Sequence, residues 1–316
     1  MTHPGAALTP CTRPTLYFVG VTTGQSSIMK IFPRWREILG LEAAIVGYDA
    51  PLQAPAEIYR AVVRQIKTDP LARGALITTH KLDLLAATRD LFDDLDPYAE
   101  LCAEISCIAK KEGRLEGYAK DPVTAKLAWE AMVEAGHWGR SGGEVLCLGG
   151  GGAALAISVC VAGFPDRADR PRRFVLIERD PARLAHLKAI HARLETDIAF
   201  EYMLNEEARQ NDAFMSQLPP GSLVINATGM GKDRPGSPIT AEAVFPRPGL
   251  VWELNYRGAL DFLQQARRQA QARQLQIHDG WVYFLYGWSE IIAEVFQLTL
   301  TPALFESLAE AAAARR

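Results

Sequence analysis

The chain has 316 residues, enough for two domains, because single hydrophobic cores stop growing at roughly 250 to 300 residues. With 48% hydrophobic residues, 22% charged residues and a net charge of −3, it has a globular composition and gives no indication of a nucleic-acid partner. No stretch approaches the roughly 20 apolar residues that cross a bilayer, so we expect a cytoplasmic protein with no membrane partner. None of the five cysteines has the spacing of a zinc site, so we expect reduced thiols and no metal.

Strands and helices alternate in the first part of the chain. Residues 16–21 and 43–47 are β-rich runs, residues 74–81 form a third run, and apolar residues with helical spacing cover 31–41 and 55–66. This alternation favours a parallel sheet, whose ligands bind beyond the carboxyl ends of the strands. The polar residues at these predicted ends are Ser26, Thr78, Thr79, His80 and Lys81.

A hairpin and a new helix follow. Residues 104–108 and 115–118 flank the turn signal Lys111-Glu112-Gly113, which predicts a β-hairpin. Asp121 is placed to cap a helix that Pro122 begins and that we expect to run to about Ala135. The glycines at 136–143 after this helix mark the expected approach to a second domain.

The most informative stretch is an apolar run, residues 145–148, that breaks into four glycines, 149–152, and resumes as small residues compatible with a helix. Glycines at 149, 151 and 152 lack a Cβ, so a pyrophosphate can approach the backbone N–H groups at the start of that helix. The spacing G-x-G-G-x-A is a variant of the dinucleotide fingerprint, and the alternative is a glycine-rich surface loop. A second strand at 174–178 ends in Glu178, 26 residues after Gly152, where dinucleotide enzymes bind the adenine-ribose 2′-hydroxyl.

The remaining elements continue the same pattern. A strand within 221–230 ends in the small polar residues Asn226, Thr228 and Gly229, and a further strand is predicted at 250–256. A helix covers 260–274, and a long aromatic helix covers 279–298. Since this last helix is apolar on most sides, we expect it to be buried and to pack back on the first domain. We expect the alanine-rich tail, residues 309–316, to be a fraying helix end.

Taken in order, these motifs resemble those of the shikimate dehydrogenase superfamily over nearly the whole chain. Residues 20–26 resemble the family's first strand and serine-bearing loop, and residues 78–81 are a shortened form of its Val-Thr-x-Pro-x-Lys strand end. Residues 117–121 are similar to its Gly-x-Asn-Thr-Asp segment, and residues 149–156 match its Gly-Ala-Gly-Gly-Ala-Ala-x-Ala turn. Residues 225–228 match its Ile-Asn-Ala-Thr strand end, and Asp279-Gly280 resembles the start of its final helix.

The resemblance implies an α/β protein of two domains. An N-terminal three-layer α/β substrate domain would take residues 1–121 and 288–316, and an NAD(P)-binding Rossmann-like domain would take 122–287. The family's catalytic lysine and aspartate carry over onto Lys81 and Asp121. The substrate-binding positions carry over onto Ser26, Thr78, Ser106 and Tyr256. The implied cofactor-binding residues are Gly149, Gly151, Gly152, Ala153, Glu178, Arg179, Asn226, Ala227 and Thr228.

The residue types of the implied catalytic pair, Lys81 and Asp121, suit the oxidation of an alcohol. Oxidation of a secondary alcohol needs a group that removes the hydroxyl proton as hydride leaves, and a lysine beside a carboxylate can have its pKa moved to serve. The competing interpretations are a surface lysine for Lys81 and only a helix cap for Asp121. His80, one residue away on a strand, should point to the opposite face and is not included.

Several substrate-binding positions depart from the family pattern. Ile28 replaces a second serine, Ser106 an asparagine, Ala119-Lys120 an Asn-Thr pair, and Gly287 the glutamine of the final helix. Each lost buried partner costs about 1 to 3 kcal/mol, so binding of shikimate itself should be weakened. We therefore expect a small-molecule ring acid as substrate: a shikimate- or quinate-like acid, or an aminated relative. Tyr283 is a weaker candidate than Tyr256, with core packing the favoured role.

Cofactor preference and competing functions complete the expectations. NADP-using members present Asn-Arg-Thr where this chain has Glu178-Arg179-Asp180, and a carboxylate repels a 2′-phosphate, so NAD is favoured while Arg179 keeps NADP possible. The alternatives are a dehydrogenase of aminoshikimate or pterin type on the same fold and a nucleotide-binding sensor without turnover. Retention of Lys81 and Asp121 argues against the sensor. As assembly state we expect a monomer or a homodimer.

Overall fold

A computed structural model describes residues 8–232 and 234–315. It divides into two compact units, one formed by the chain up to Lys120 together with the chain from Leu285 onward, the other by Asp121–Phe284. Each unit contains its own six-stranded sheet, which confirms the predicted α/β class with two domains. Along the chain, the first division falls one residue before the predicted boundary at Asp121, and the second falls three residues before the predicted one at Gly287. No helix in the described ranges is both long and apolar enough to cross a membrane.

The chain up to Lys120 builds the first sheet. Its elements are β1 (Thr15–Gly20), α1 (Ile28–Ile38), β2 (Ala44–Asp49), α2 (Ala56–Thr68), β3 (Ala72–Ile77), α3 (Lys81–Thr88), β4 (Asp94–Leu95), α4 (Pro97–Cys102), β5 (Cys107–Lys111) and β6 (Arg114–Tyr118). The strand order is β2-β1-β3-β5-β6-β4. Strand β5 runs antiparallel to both β3 and β6, which confirms the predicted hairpin, and the other neighbours are parallel.

The second unit is an all-parallel sheet with helices between its strands. Its elements are α5 (Asp121–Glu130), α6 (His137–Ser141), β7 (Val145–Leu148), α7 (Gly152–Ala162), β8 (Arg173–Glu178), α8 (Pro181–His191), β9 (Ala199–Leu204), α9 (Ala208–Ser216), β10 (Ser222–Asn226), β11 (Gly249–Glu253), α10 (Asp261–Arg273) and β12 (Leu275–His278). The order β12-β11-β10-β7-β8-β9 places β7 and β10 side by side at the centre. Two helices, α11 (Trp281–Phe296) and α12 (Pro302–Ala313), complete the chain.

Burial explains the unbroken apolar runs in the sequence. All six residues of β1 are buried, as are all four of β7 and all five of β10. A parallel strand covered on both faces has no solvent side, so its sequence loses the alternation of polar and apolar residues. Helix α7 is apolar all round for the same reason, since Ala154–Ala162 are buried and the helix packs on α5.

Two expectations about the helices need correction, and a third agrees with the structure. Helix α5 ends at Glu130 instead of running to about Ala135, and the short helix α6 begins after Gly136, whose positive φ of 71° breaks the regular helix. The alanine-rich tail does not fray from residue 309. Helix α12 continues to Ala313 because Thr301 caps its start and Leu308 and Ala312 are buried. Of the long aromatic helix α11, the part from Leu285 belongs to the first unit, where Trp288 contacts Phe18 edge to face.

Candidate functional site

Three of the predicted substrate-side residues lie at one edge of the first sheet. Because β1 and β3 are parallel, their carboxyl ends share an edge, and the Thr78 N–H donates to the Val19 carbonyl there at 3.0 Å. Ser106 reaches the same edge from β5, since its carbonyl accepts from the Ile77 N–H at 2.8 Å. The sheet thus brings Thr78, Lys81 and Ser106 to neighbouring strand ends.

A tight turn fixes the start of α3, the helix that carries Lys81 as its first residue. The His80 N–H donates to the Thr78 carbonyl at 2.6 Å, which closes a three-residue turn around Thr79. Thr79 has a φ of 62°, a conformation that is strained for a β-branched residue and persists only where the surroundings hold it. His80 contributes to that hold, because its buried imidazole Nδ1 pairs with the Tyr59 hydroxyl at 3.0 Å.

Influences of opposite sign act on the pKa of Lys81. Burial lowers the pKa of the Lys81 ammonium, while the nearby carboxylate of Glu104 acts in the opposite direction and is the weaker influence. A lysine whose pKa is lowered by burial can accept a proton closer to neutral pH than a surface lysine can. Glu104, itself buried, is a charge near Lys81 that sequence reasoning did not identify.

Ser106 links the sheet edge to the segment that leads into Asp121. Its side chain is buried, and its Oγ accepts from the Lys120 N–H at 2.8 Å. The Lys120 ammonium pairs with the carboxylate of Glu294 in α11. Asp121 follows directly as the half-buried first residue of α5, with Pro122 second, so the predicted helix start is confirmed.

The loop that carries Ser26 is held by a carboxylate. Asp49 at the end of β2 accepts from both the Thr23 N–H and the Thr23 hydroxyl, at 2.8 and 2.6 Å. The Ser26 N–H then donates to the Thr23 carbonyl at 3.0 Å, and Ser26 lies half-buried just before α1.

The glycine turn after β7 has the geometry of a phosphate cradle. Gly149 has a φ of 105°, and a Cβ there would lie 2.7 Å from the Ala227 carbonyl carbon, so only glycine fits. At Gly151 a Cβ would meet only Arg183 Nη1, at 3.9 Å, so the approach to this backbone is open. Gly151 is also the N-cap of α7 and provides no side-chain cap, which leaves the first-turn N–H groups of Gly152 and Ala153 for an anionic ligand.

Glu178 has a structural role that the sequence did not reveal. Its Oε2 accepts from the Gly150 N–H at 2.7 Å, and its Oε1 accepts from the N–H groups of Arg179 and Asp180 at 2.8 and 3.0 Å. A Cβ at position 150 would lie 2.9 Å from the Glu178 Cβ, so the side chain packs directly on the turn. The carboxylate is therefore held in place by three backbone groups, and it shapes the cradle.

A cavity of about 280 Å³ extends from this turn within the second unit. Its volume is close to the lower end of the range for small-molecule sites. Acidic Glu178 and Glu206 line it together with three arginines, Arg179, Arg183 and Arg234. The other lining residues are Leu148, Gly149, Ile177, Asn205, Ala208, Asn211, Ala227, Thr228, Met230, Ser237 and Pro238. Predicted cofactor residues from three separate segments thus lie around one cavity.

The Asn226 side chain closes a tight turn at the end of β10. Asn226 Oδ1 accepts from the Thr228 N–H at 3.1 Å and from the Thr228 hydroxyl at 2.6 Å. The Ala227 N–H donates to the Leu148 carbonyl at 2.7 Å, so this loop lies against the glycine turn.

Two aromatic candidates lie at the end of the second unit. Tyr256 packs on Phe284 with ring centroids 4.3 Å apart and on Trp281 at 5.7 Å. Tyr283 packs edge to face on the buried Trp252 at 5.6 Å, as its predicted core role requires.

The chain is similar in sequence to curated enzymes named shikimate dehydrogenase (NADP+). A shikimate dehydrogenase (NADP+) of Thermus thermophilus is 27% identical over 245 residues, which cover 77% of this chain and 78% of that enzyme. The chain spans just under three fifths of the length of other curated relatives of that name. No protein-family model matches the chain.

Solved structures show the same fold. A shikimate 5-dehydrogenase of Listeria monocytogenes in complex with shikimate and NAD superposes with a TM-score of 0.72 at 19% identity, over 94% of this chain and 96% of that one. The ligand-free 5-ketofructose reductase of Gluconobacter sp. strain CHM43 gives a TM-score of 0.69 at 22% identity, over 95% and 99% of the two chains.

Proposed function

Because the chain belongs to the shikimate dehydrogenase superfamily, we propose that it is an NAD(P)-dependent oxidoreductase of the shikimate dehydrogenase type. It would transfer hydride between a nicotinamide and a secondary hydroxyl or ketone of a shikimate- or quinate-like ring acid. The observation that carries this proposal is Lys81, an amine whose pKa is lowered by burial and which follows a strained turn at a sheet edge shared with Thr78 and Ser106.

In the proposed reaction, Lys81 and Asp121 act on the substrate hydroxyl. The neutral amine of Lys81 takes the hydroxyl proton as the carbinol carbon loses hydride, and the carboxylate of Asp121 accepts a hydrogen bond from the same hydroxyl. The carbinol becomes a ketone, the proton is on Lys81 Nζ, and the two electrons leave with the hydride. The nicotinamide cofactor, when bound, supplies the hydride acceptor. In the reverse direction the Lys81 ammonium returns the proton.

For the cofactor, the glycine turn and the α7 N-terminus offer backbone N–H groups to the pyrophosphate. We propose that NAD is favoured over NADP, because Glu178 places a fixed carboxylate at the wall of the cavity beside the turn. The relatives named as NADP+ enzymes and the three arginines in the same cavity are the reasons to measure both cofactors.

For the substrate, the changed binding positions support a ring acid other than shikimate itself. A Cβ added at Gly287 would meet no atom within 4 Å, so the position that resembles the family's glutamine is open space in this protein. An open position accommodates a bulkier or differently substituted ring. Aminoshikimate-type and pterin-type compounds, the substrates of the alternative dehydrogenases on this fold, belong in the substrate panel.

The test is to follow absorbance of the reduced nicotinamide while NAD or NADP is offered with shikimate, quinate and related ring acids. We expect turnover with at least one ring acid, and we expect Lys81→Ala to abolish kcat while leaving cofactor affinity little changed. Lys30→Ala, at an exposed position of α1, is the matched control and should retain activity. Tight cofactor binding by calorimetry without any turnover would instead favour a nucleotide-binding sensor.

A further inference from the structure

A buried carboxylate at the end of β11 has no role in the site described so far. Glu253 is completely buried, and its Oε2 accepts from Asn226 Nδ2 at 2.8 Å. Its Oε1 accepts from the backbone N–H of Asn255 at 2.8 Å and from Asn255 Nδ2 at 2.7 Å. All three of its partners are donors.

These contacts determine the orientation of the neighbouring amide. A carboxylate can only accept hydrogen bonds, so the NH₂ group of Asn226 must face Glu253 and its oxygen must face the other way. That oxygen accepts from the N–H and the hydroxyl of Thr228, and Thr228 Oγ1 in turn accepts from the Met230 N–H at 3.1 Å. Asn255 forms a second connection between Glu253 and this loop, since its Nδ2 also donates to the Met230 carbonyl at 3.0 Å.

The chain of contacts therefore runs from Glu253 into residues 227–230, the loop that lies against the glycine turn and contributes Ala227 and Thr228 to the cavity wall. We propose that Glu253 is a positioning residue: its ionised carboxylate holds this loop in the cofactor-binding shape, and protonation releases it. This inference rests on the proposed function, because it takes the loop to bind the dinucleotide.

Burial and neighbouring groups together set the pKa of the Glu253 carboxyl. Burial raises the pKa of the Glu253 carboxyl to about 7, while the hydrogen bonds from Asn255 and Asn226 act in the opposite direction. The carboxylate of Asp279, just after β12, raises it further. His278 in the neighbouring strand β12 has a pKa lowered by burial, so it adds little positive charge at neutral pH.

Substitution of Glu253 by glutamine imitates the protonated acid. A glutamine at this position keeps one acceptor oxygen but presents an NH₂ group, which conflicts with either Asn226 or Asn255. If Asn226 turns over to accept from it, the Asn226 NH₂ group then faces the Thr228 N–H, and two donors meet.

The experiment is a fluorescence titration of the full-length protein with NADH at pH values between 6 and 8.5. NADH lacks the 2′-phosphate, a group that would itself titrate near pH 6. If only the ionised form binds, a pKa of about 7 makes the wild-type Kd rise about tenfold between pH 8 and pH 6. The Kd of Glu253→Gln should be at least tenfold higher than that of the wild type at pH 8 and should not change with pH.

Glu201→Gln is the matched control, because Glu201 is an acidic residue on the edge strand β9 that pairs with Arg173. It should follow the wild-type profile. A wild-type Kd that is constant over this range, or a Glu253→Gln variant that shows the wild-type pH dependence, would overturn the inference. If the variant does not fold, the wild-type profile decides alone. Failure of both NADH and NADPH to bind at any pH would instead count against the proposed function.

Discussion

Replacement of Glu178 by glutamine tests how this protein selects its cofactor. The side chain keeps its length but loses its charge, and it can no longer accept at both ends from Gly150 and from Arg179 and Asp180. Some loss of order in the glycine turn should lower the catalytic efficiency with both cofactors. That common loss cancels in the ratio of the two efficiencies, which isolates the effect of the charge.

The magnitude follows from Coulomb's law. A carboxylate and one phosphate charge separated by about 6 Å repel each other by roughly 3 kcal/mol at an effective dielectric constant of 20, which corresponds to about a hundredfold. Solvent and salt at the cavity mouth reduce this, so we expect the preference to shift toward NADP by roughly 10- to 100-fold. Arg179 and Arg183 line the same cavity and would then face a 2′-phosphate without the opposing carboxylate.

The assay is kcat/KM for NAD and for NADP with one ring-acid substrate at saturating concentration. Glu206→Gln is the control, since Glu206 lines the same cavity from an exposed position, and it should change the ratio by less than about threefold. An unchanged ratio in Glu178→Gln would refute the reasoning, because the charge at the turn would then have no part in selecting the cofactor.

Two further predictions concern stability and substrate choice. Burial lowers the pKa of His191 to about 4, against about 6.5 in an unfolded chain, so the unfolded state binds more protons between these values and stability falls as pH falls. From pH 7.5 to pH 5, the free energy of unfolding should therefore fall by about 2 kcal/mol. Urea titrations should show this loss in the wild type and not in His191→Gln, and an equal difference between the two proteins at both pH values would contradict it. At Gly287, a Cβ would meet no atom within 4 Å, and a glutamine restores the residue expected from the family pattern, so the KM for shikimate should fall about tenfold. Gly287→Ala controls for helix propensity, and identical KM values for the two variants would exclude a direct contact with the substrate.

The sequence by itself determined the order of elements around the candidate site. Alternating strands and helices predicted parallel sheets, and the unbroken apolar runs of β1 and β7 reflect strands buried on both faces. The glycines after β7 were predicted as a turn because backbone shape there depends on local residue type, and the positive φ of Gly149 agrees. Motif order then placed Lys81 and Asp121 in a family pattern. These features are local, so spacing along the chain reveals them.

The tertiary structure alone decided which polar groups meet. Glu178 was predicted from its position at a strand end, but one of its three backbone donors, the Gly150 N–H, comes from a turn that only folding brings beside it, whereas Arg179 and Asp180 follow it in the chain. Glu253 gave no signal in the sequence, because its burial and its contact with Asn226 depend on the packing of β10 against β11, although its other partner, Asn255, is only two residues further along the chain. Strand β9 shows no clean alternation because it is a partly exposed edge, and β12 is only four residues long, so neither was predicted. The lowered pKa of Lys81 likewise follows from its burial in the folded chain. Burial and hydrogen-bond partners are properties of contacts between segments, which no local pattern of residues contains.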